Sequence, residues 1–196
     1  MNPTLKVGVL ALQGAFREHI RMLKSLGVDA VEIRLPGEID EVDGLIIPGG
    51  ESTTMRKLMA DYRFFDTVRE FAAAGKPVFG TCAGLIVMAD RINGKKQDLL
   101  NLIDIDVERN AYGRQVESRE ADILSHSLGE EPFHAIFIRA PQILATGPGV
   151  EELARYQDQV VLARQKNILV ATFHPELTGD ARIHKLFLQM LAGKAR

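Results

Sequence analysis

The sequence has one cysteine and no tryptophan in 196 residues. One cysteine excludes an intramolecular disulfide and any multi-cysteine zinc site, and it suits a reducing compartment. The expected location is therefore the cytoplasm. Long hydrophobic runs are missing too. None approaches a membrane span, and the stretch from Val7 to Leu12 is too short for a signal-peptide core. Charge of one sign is also lacking. A net charge of −2 leaves no electrostatic case for nucleic acid or an anionic membrane surface as partner. What remains, 46% hydrophobic and 26% charged residues, is the make-up of an ordinary globular protein, with residues 1–196 expected to form one domain.

The pattern along the chain predicts an α/β fold. Lys6 to Leu12 is a near-continuous apolar run, as in a strand buried on both faces. Phe16, Ile20, Leu23 and Leu26 then recur at helical spacing, Gly27 stops that helix, and a second strand is expected over Ala30 to Leu35. Such a β-α-β opening implies a parallel sheet with right-handed crossovers. Gly44 to Ile47 reads as a third buried strand, followed by Pro48-Gly49-Gly50-Glu51-Ser52-Thr53-Thr54, with Ser52 or Thr53 expected to cap the next helix. A further helix is expected from Asp66 to Ala74. Asn93 to Asp98 looks like a surface loop, and from Leu102 the texture is β-rich up to a closing helix over Ala181 to Leu191. The expected architecture is a central, mostly parallel sheet flanked by helices, flavodoxin-like, with additional antiparallel strands in the second half.

The chain is organised around Gly80-Thr81-Cys82-Ala83-Gly84. A short buried strand from Pro77 to Phe79 precedes it and an apolar helical stretch follows. This is the Gly-x-nucleophile-x-Gly elbow in its thiol form, with the cysteine at a helix N-terminus where the dipole favours a thiolate. A lone cysteine is equally consistent with a small buried hydrophobe, so the base decides. A free thiol, with a pKa near 8.5, is about a few per cent ionised at neutral pH and needs one.

Of the five histidines, His19 and His184 fall in amphipathic helices and read as surface or half-buried packing residues. His126 lies in a polar turn, and His134 begins a strand with no partner in view. His174 ends the apolar stretch Ile168 to Phe173 and precedes Pro175-Glu176. Proline restricts the conformation of the histidine before it, and Glu176 can reach back to one imidazole nitrogen. A plain turn with a chance acid is the alternative. With the elbow, Cys82, His174 and Glu176 form a coherent nucleophile, base and orienter.

Together, Pro48 to Ser52, Gly80 to Gly84 and Phe173-His174-Pro175-Glu176 resemble the class I, triad-type glutamine amidotransferases. Leu12-Gln13-Gly14, Gly50 to Thr54, Glu108 to Gln115 and Phe137 to Pro141 narrow the resemblance to the glutaminase subunits of pyridoxal 5′-phosphate synthases. That resemblance implies hydrolysis of L-glutamine through a γ-glutamyl thioester on Cys82, with no cofactor and no metal. It implies glutamine binding by Gly50, Glu51, Ser52, Arg109, Ile138 and Arg139. Backbone N–H groups of Ala83 and of Gly49 or Gly50 would hold the oxyanion. It further implies a separate (β/α)8-barrel synthase subunit that receives the ammonia. From the residues alone, Arg109 and Arg139 would be surface ion-pair residues. Rival readings are a glutaminase serving a histidine or purine precursor synthase, a cysteine hydrolase of the stress-protein kind, and a regulatory module without turnover.

Overall fold

In the computed structural model, which describes residues 5–109 and 118–193, the apolar stretches of the first half lie side by side as parallel strands. These are β1 (Lys6–Leu10), β2 (Asp29–Ile33), β3 (Gly44–Ile47) and β4 (Val78–Thr81). Between them run α1 (Phe16–Ser25), α2 (Ser52–Asp61) and α3 (Phe64–Ala73), and α4 (Ala83–Met88) leaves β4 directly. The second half supplies β5 (Ala89–Ile92), β6 (Lys95–Lys96), β7 (Ile103–Glu108), β8 (Ser118–Ser125), β9 (Gly129–Ile138), β10 (Gln142–Thr146), β11 (Glu151–Tyr156), β12 (Gln159–Gln165), β13 (Ile168–Ala171) and α5 (Arg182–Leu191). The stretch Asn110 to Gln115, and Glu117 at the head of a strand that the apolar pattern predicts as far as Ile123, lie outside the described residues.

The main sheet has nine strands in the order β2-β1-β3-β4-β13-β12-β11-β8-β9. Its first five are parallel, in the flavodoxin-like order, and the rest are antiparallel. Every residue of β3, β4 and β13 is buried, because each strand sends alternate side chains into two different cores. Leu45, Ile47, Val78, Ile168 and Val170 pack in one core with Met55, Met59, Phe64 and Val68 of α2 and α3. Ile46, Phe79, Leu169 and Ala171 pack in the other with Leu23 of α1 and Ile183 and Phe187 of α5. Ligands of such sheets bind beyond the carboxyl ends of the strands, where the connections diverge. Here β1, β3, β4 and β13 all end at that edge.

Four strands form a second sheet, β10-β7-β5-β6. Part of it replaces the expected loop at Asn93 to Asp98. Asn93 and Gly94 both take positive φ, 50° and 73°, which a tight two-residue hairpin turn requires, and Lys95–Lys96 pairs back on β5. The capping expectation at α2 is also corrected. Glu51, not Ser52 or Thr53, is the cap, its carboxylate accepting from the N–H groups of Thr53 and Thr54 at 3.0 and 2.7 Å. Among the described residues no helix is long and apolar enough to cross a membrane.

Candidate active site

β4 passes into α4 without a loop, and Cys82 is the residue on which the chain bends, with φ 49° and ψ −105°. A positive φ on a residue other than glycine costs about 1–3 kcal/mol and persists only where surrounding bonds over-determine it. Here the Cys82 N–H donates to Ala171 O at 2.9 Å, and its carbonyl accepts from Ile86 N–H at 3.2 Å. The helix turns so tightly under β3 that a Cβ on Gly84 would fall on the Ile47 carbonyl. Glycine is therefore required there. The Cys82 Sγ faces Ile138 O at 3.8 Å.

β13 ends two residues before Phe173-His174, and the His174 N–H donates to Ile136 O of β9 at 2.8 Å. Pro175–Leu177 form a single 3-10 turn. That turn carries Glu176 back under the imidazole, where Oε1 accepts from His174 Nδ1 at 2.7 Å. Gly49, at the end of β3, closes the site from the other side. A Cβ at Gly49 would sit 3.0 Å from His174 Nδ1 and 3.3 Å from Cys82 Cβ, and closer still to His174 Cε1. Gly49 thus lies against both Cys82 and His174, and Glu176 stands behind the histidine.

Electrostatics follow the geometry. Burial opposes a charge on His174, but hydrogen bonds to Cys82 and Glu176, with the charge of Glu176, outweigh it and push the imidazole up to about 10. Burial likewise pushes Glu176 up, yet His19 and His174 pull it below the ordinary carboxylate range. At neutral pH the histidine carries its proton and the carboxylate is ionised.

These groups open on a cleft of about 450 Å³. Its walls include Gly49, Gly50, Glu51, Ser52, Cys82, Arg109, Ile138, Arg139 and His174. Ala83 is buried at the start of α4 and Glu176 lies beneath His174, so neither forms part of the wall. Glu51 lines the cleft, but its carboxylate is committed to capping α2. Its two backbone hydrogen bonds and that of the Thr54 hydroxyl hold it down at about 2. Gln13 bridges the same loop, donating to Glu51 O at 3.3 Å and accepting from Glu51 N–H at 3.2 Å.

The profile of the SNO glutamine amidotransferase family matches residues 9–193. The chain belongs to that family. Its relatives include the pyridoxal 5′-phosphate synthase subunit PdxT of Pelotomaculum thermopropionicum, 55% identical over 94% of each chain. The subunit of the same name from Bacillus velezensis is 53% identical over 95% of this chain and 94% of its own. A crystal structure titled glutamine amidotransferase superposes with a TM-score of 0.89 at 49% identity, covering 95% of this chain and 98% of the other. The structure of PurLQS from Thermotoga maritima, at 14% identity, shares the fold with a TM-score of 0.78, covering 96% of this chain and 99% of that one. The α/β architecture expected for a class I amidotransferase is thus the one observed.

In this family member three of the histidines outside the cleft are placed differently from expectation, while His126 lies exposed in its turn as expected. His19 and His184 are fully buried, not at the surface. The signal was in the spacing. His19 falls three residues after Phe16 and four before Leu23, and His184 three before Phe187, so both share their helix's apolar stripe. His134 does have partners. It stands in mid-strand between Asp122 and Glu120, which raise its pKa.

Proposed function

We propose that this chain hydrolyses L-glutamine to L-glutamate and ammonia, with Cys82 as nucleophile, His174 as proton carrier and Glu176 as its orienter. We further propose that the ammonia passes to a (β/α)8-barrel subunit that builds pyridoxal 5′-phosphate, the whole reaction taking place in the cytoplasm. The observation that carries the reading is the strained Cys82 meeting a Glu176-held imidazole in a cleft, in a chain half identical to named synthase subunits. Residues 1–196 act in it as one amidotransferase domain.

In this reading Cys82 Sγ attacks the side-chain amide carbon of glutamine. The oxyanion that forms is met by the Ala83 N–H and by an N–H of the Gly49-Gly50 loop, each such donor being worth about 10²- to 10³-fold in rate. His174, already protonated, gives its proton to the departing ammonia, leaving the γ-glutamyl thioester. The now neutral imidazole takes a proton from water, which attacks the thioester and releases glutamate. Arg109 and Arg139 on the cleft wall suit the substrate's α-carboxylate. With its carboxylate spent on the helix cap and its N–H and carbonyl bridged by Gln13, Glu51 serves as cleft wall, while Gly50 and Ile138 offer backbone groups and Ser52 a hydroxyl.

The Gly49 carbonyl is held by the Ala15 N–H at 3.0 Å, tying the oxyanion loop to the Gln13-Gly14 turn. Docking of the synthase would release or reorient this pair and complete the oxyanion hole, limiting ammonia loss from the free subunit. Glutamate release measured with and without the synthase tests both parts. No release under either condition refutes the glutaminase reading, and equal rates refute gating by the partner.

A further inference from the structure

Glu176 is a fully buried carboxylate with two oxygens, and the catalytic histidine uses one. Among the described residues Oε2 has no hydrogen-bond partner within normal geometry. His19 Nε2 of α1, also fully buried, lies 3.4 Å from it. The same nitrogen lies 3.2 Å from Thr81 Oγ1, the residue before the nucleophile. His19 Nδ1 in turn lies 3.0 Å from Nε2 of His184 on α5.

The proton positions follow. An ionised carboxylate only accepts, so His19 Nε2 carries hydrogen toward Glu176 and Thr81. Burial holds His19 below its ordinary value despite the attraction of Glu176. Its Nδ1 is therefore an acceptor, and the hydrogen between the two rings belongs to His184 Nε2. That leaves His184 Nδ1 bare, and among the described residues it is the atom of that ring without a partner. Burial and then His19 hold His184 at about 3, so it too stays neutral. The N–H groups of His184 and His19 thus point one after the other at the back of Glu176. The titratable groups facing His19 are Glu176 and His174 from the turn after β13, His184 from α5 and Glu18 from its own helix.

We propose that His19 is a positioning residue for the reaction: its Nε2–H, held in that tautomer by His184, fixes the Glu176 carboxylate against His174 and ties it to the strand that carries Cys82. It acts through Glu176 and touches no substrate. The inference rests on the triad reading above, and its test is readable without turnover. Cys82 is the sole cysteine, and its rate of alkylation by iodoacetamide reads how the Glu176-held imidazole is seated beside the sulfur. His19→Leu removes the donor and keeps apolar bulk. His19→Gln returns an N–H near the Nε2 position.

With His19→Leu folded, kcat for glutamate release should fall roughly 10- to 100-fold, the size expected when a buried charge loses the N–H that faces it. KM should stay within about twofold, and alkylation of Cys82 at pH 7 should slow about threefold to tenfold. The His19→Gln variant should recover most of both. Wild-type kcat and alkylation in His19→Leu would overturn the inference, as would equal impairment of the leucine and glutamine variants, which would mark a packing role. If His19→Leu does not fold, His184→Leu decides, since it frees His19 to take the wrong tautomer: slower alkylation supports the inference and an unchanged rate overturns it. A wild-type protein that releases no glutamate would refute the glutaminase reading alone, because alkylation still reads the His19 effect.

Discussion

Gly49→Ala is the sharpest test of the site's geometry. Gly49 does not need glycine for its backbone, because its φ is not positive. The cost of a methyl there is purely steric. Its Cβ would stand 3.0 Å from His174 Nδ1 and nearer to Cε1, where an ordinary contact begins at 3.4 Å. The ring must therefore retreat by about 0.4 Å at Nδ1 and further at Cε1, since the opposing atoms are a packed ring and the Cβ of Cys82, which cannot swing aside. That retreat disturbs the 2.7 Å bond to Glu176 and the approach to Cys82 together. A displacement of about 1 Å in a catalytic array costs on the order of 10²-fold, so a loss of roughly 10- to 100-fold in kcat is expected. Overpacking of about 1–3 kcal/mol should lower the melting temperature by roughly 2–12 °C and leave the fold intact. Gly37→Ala, with nothing within 4 Å of the new methyl, is the control. The assay is glutamate release in the presence of the synthase, alongside thermal melting. Gly49→Ala with activity within about threefold of wild type would refute the argument that Gly49, His174 and Cys82 share one packed contact.

Cys82→Ala should abolish glutamate release and keep the fold, whereas Cys82→Gly should melt at higher temperature than Cys82→Ala, because glycine relieves the positive φ; calorimetry of the pair checks the strain. His174→Asn should be nearly as inactive as Cys82→Ala, and Glu176→Gln somewhat less so, as read by glutamate release. Because His174 is raised to about 10, kcat/KM should decline as pH rises through that value, and Glu176→Gln should move the decline to lower pH; an unmoved basic limb would exclude Glu176 as the cause. The stabilisation from this pairing is complete below pH 6.5 and is lost as pH rises through about 10. Glu51→Ala should cost about 0.5–2 kcal/mol at pH 7 through loss of the α2 cap. That difference should be present above pH 4.5 and vanish as pH falls through about 2, as melting curves at several pH values would show.

Much of this site is legible in the sequence because it is local. The elbow is a five-residue stretch in which Gly80 answers to the backbone of Gly84 within the same turn, and His174, Pro175 and Glu176 set their own contact through one 3-10 turn. The apolar runs of β3, β4 and β13 likewise declare strands buried on both faces, since no exposed position interrupts them. Other features were readable but ambiguous. Asn93-Gly94 fits a loop as well as a hairpin turn until Lys95–Lys96 is seen to pair. Glu51, Ser52 and Thr53 are all able caps until one side chain is seen to turn back.

By itself, then, the sequence determined the parallel core, the bend at Cys82 and the acid two residues after His174. Only the tertiary structure decided which distant residues share space. β13 lies next to β4 although they are separated by most of the second half of the chain, and that pairing alone carries His174 to Cys82. The His184–His19–Glu176 line needs α1, α5 and the turn after β13 to converge, with partners up to 165 residues apart. Local spacing places a histidine on an apolar stripe. Whether it meets hydrocarbon or a buried carboxylate is set by what the opposite element brings, and nothing within one helix encodes that.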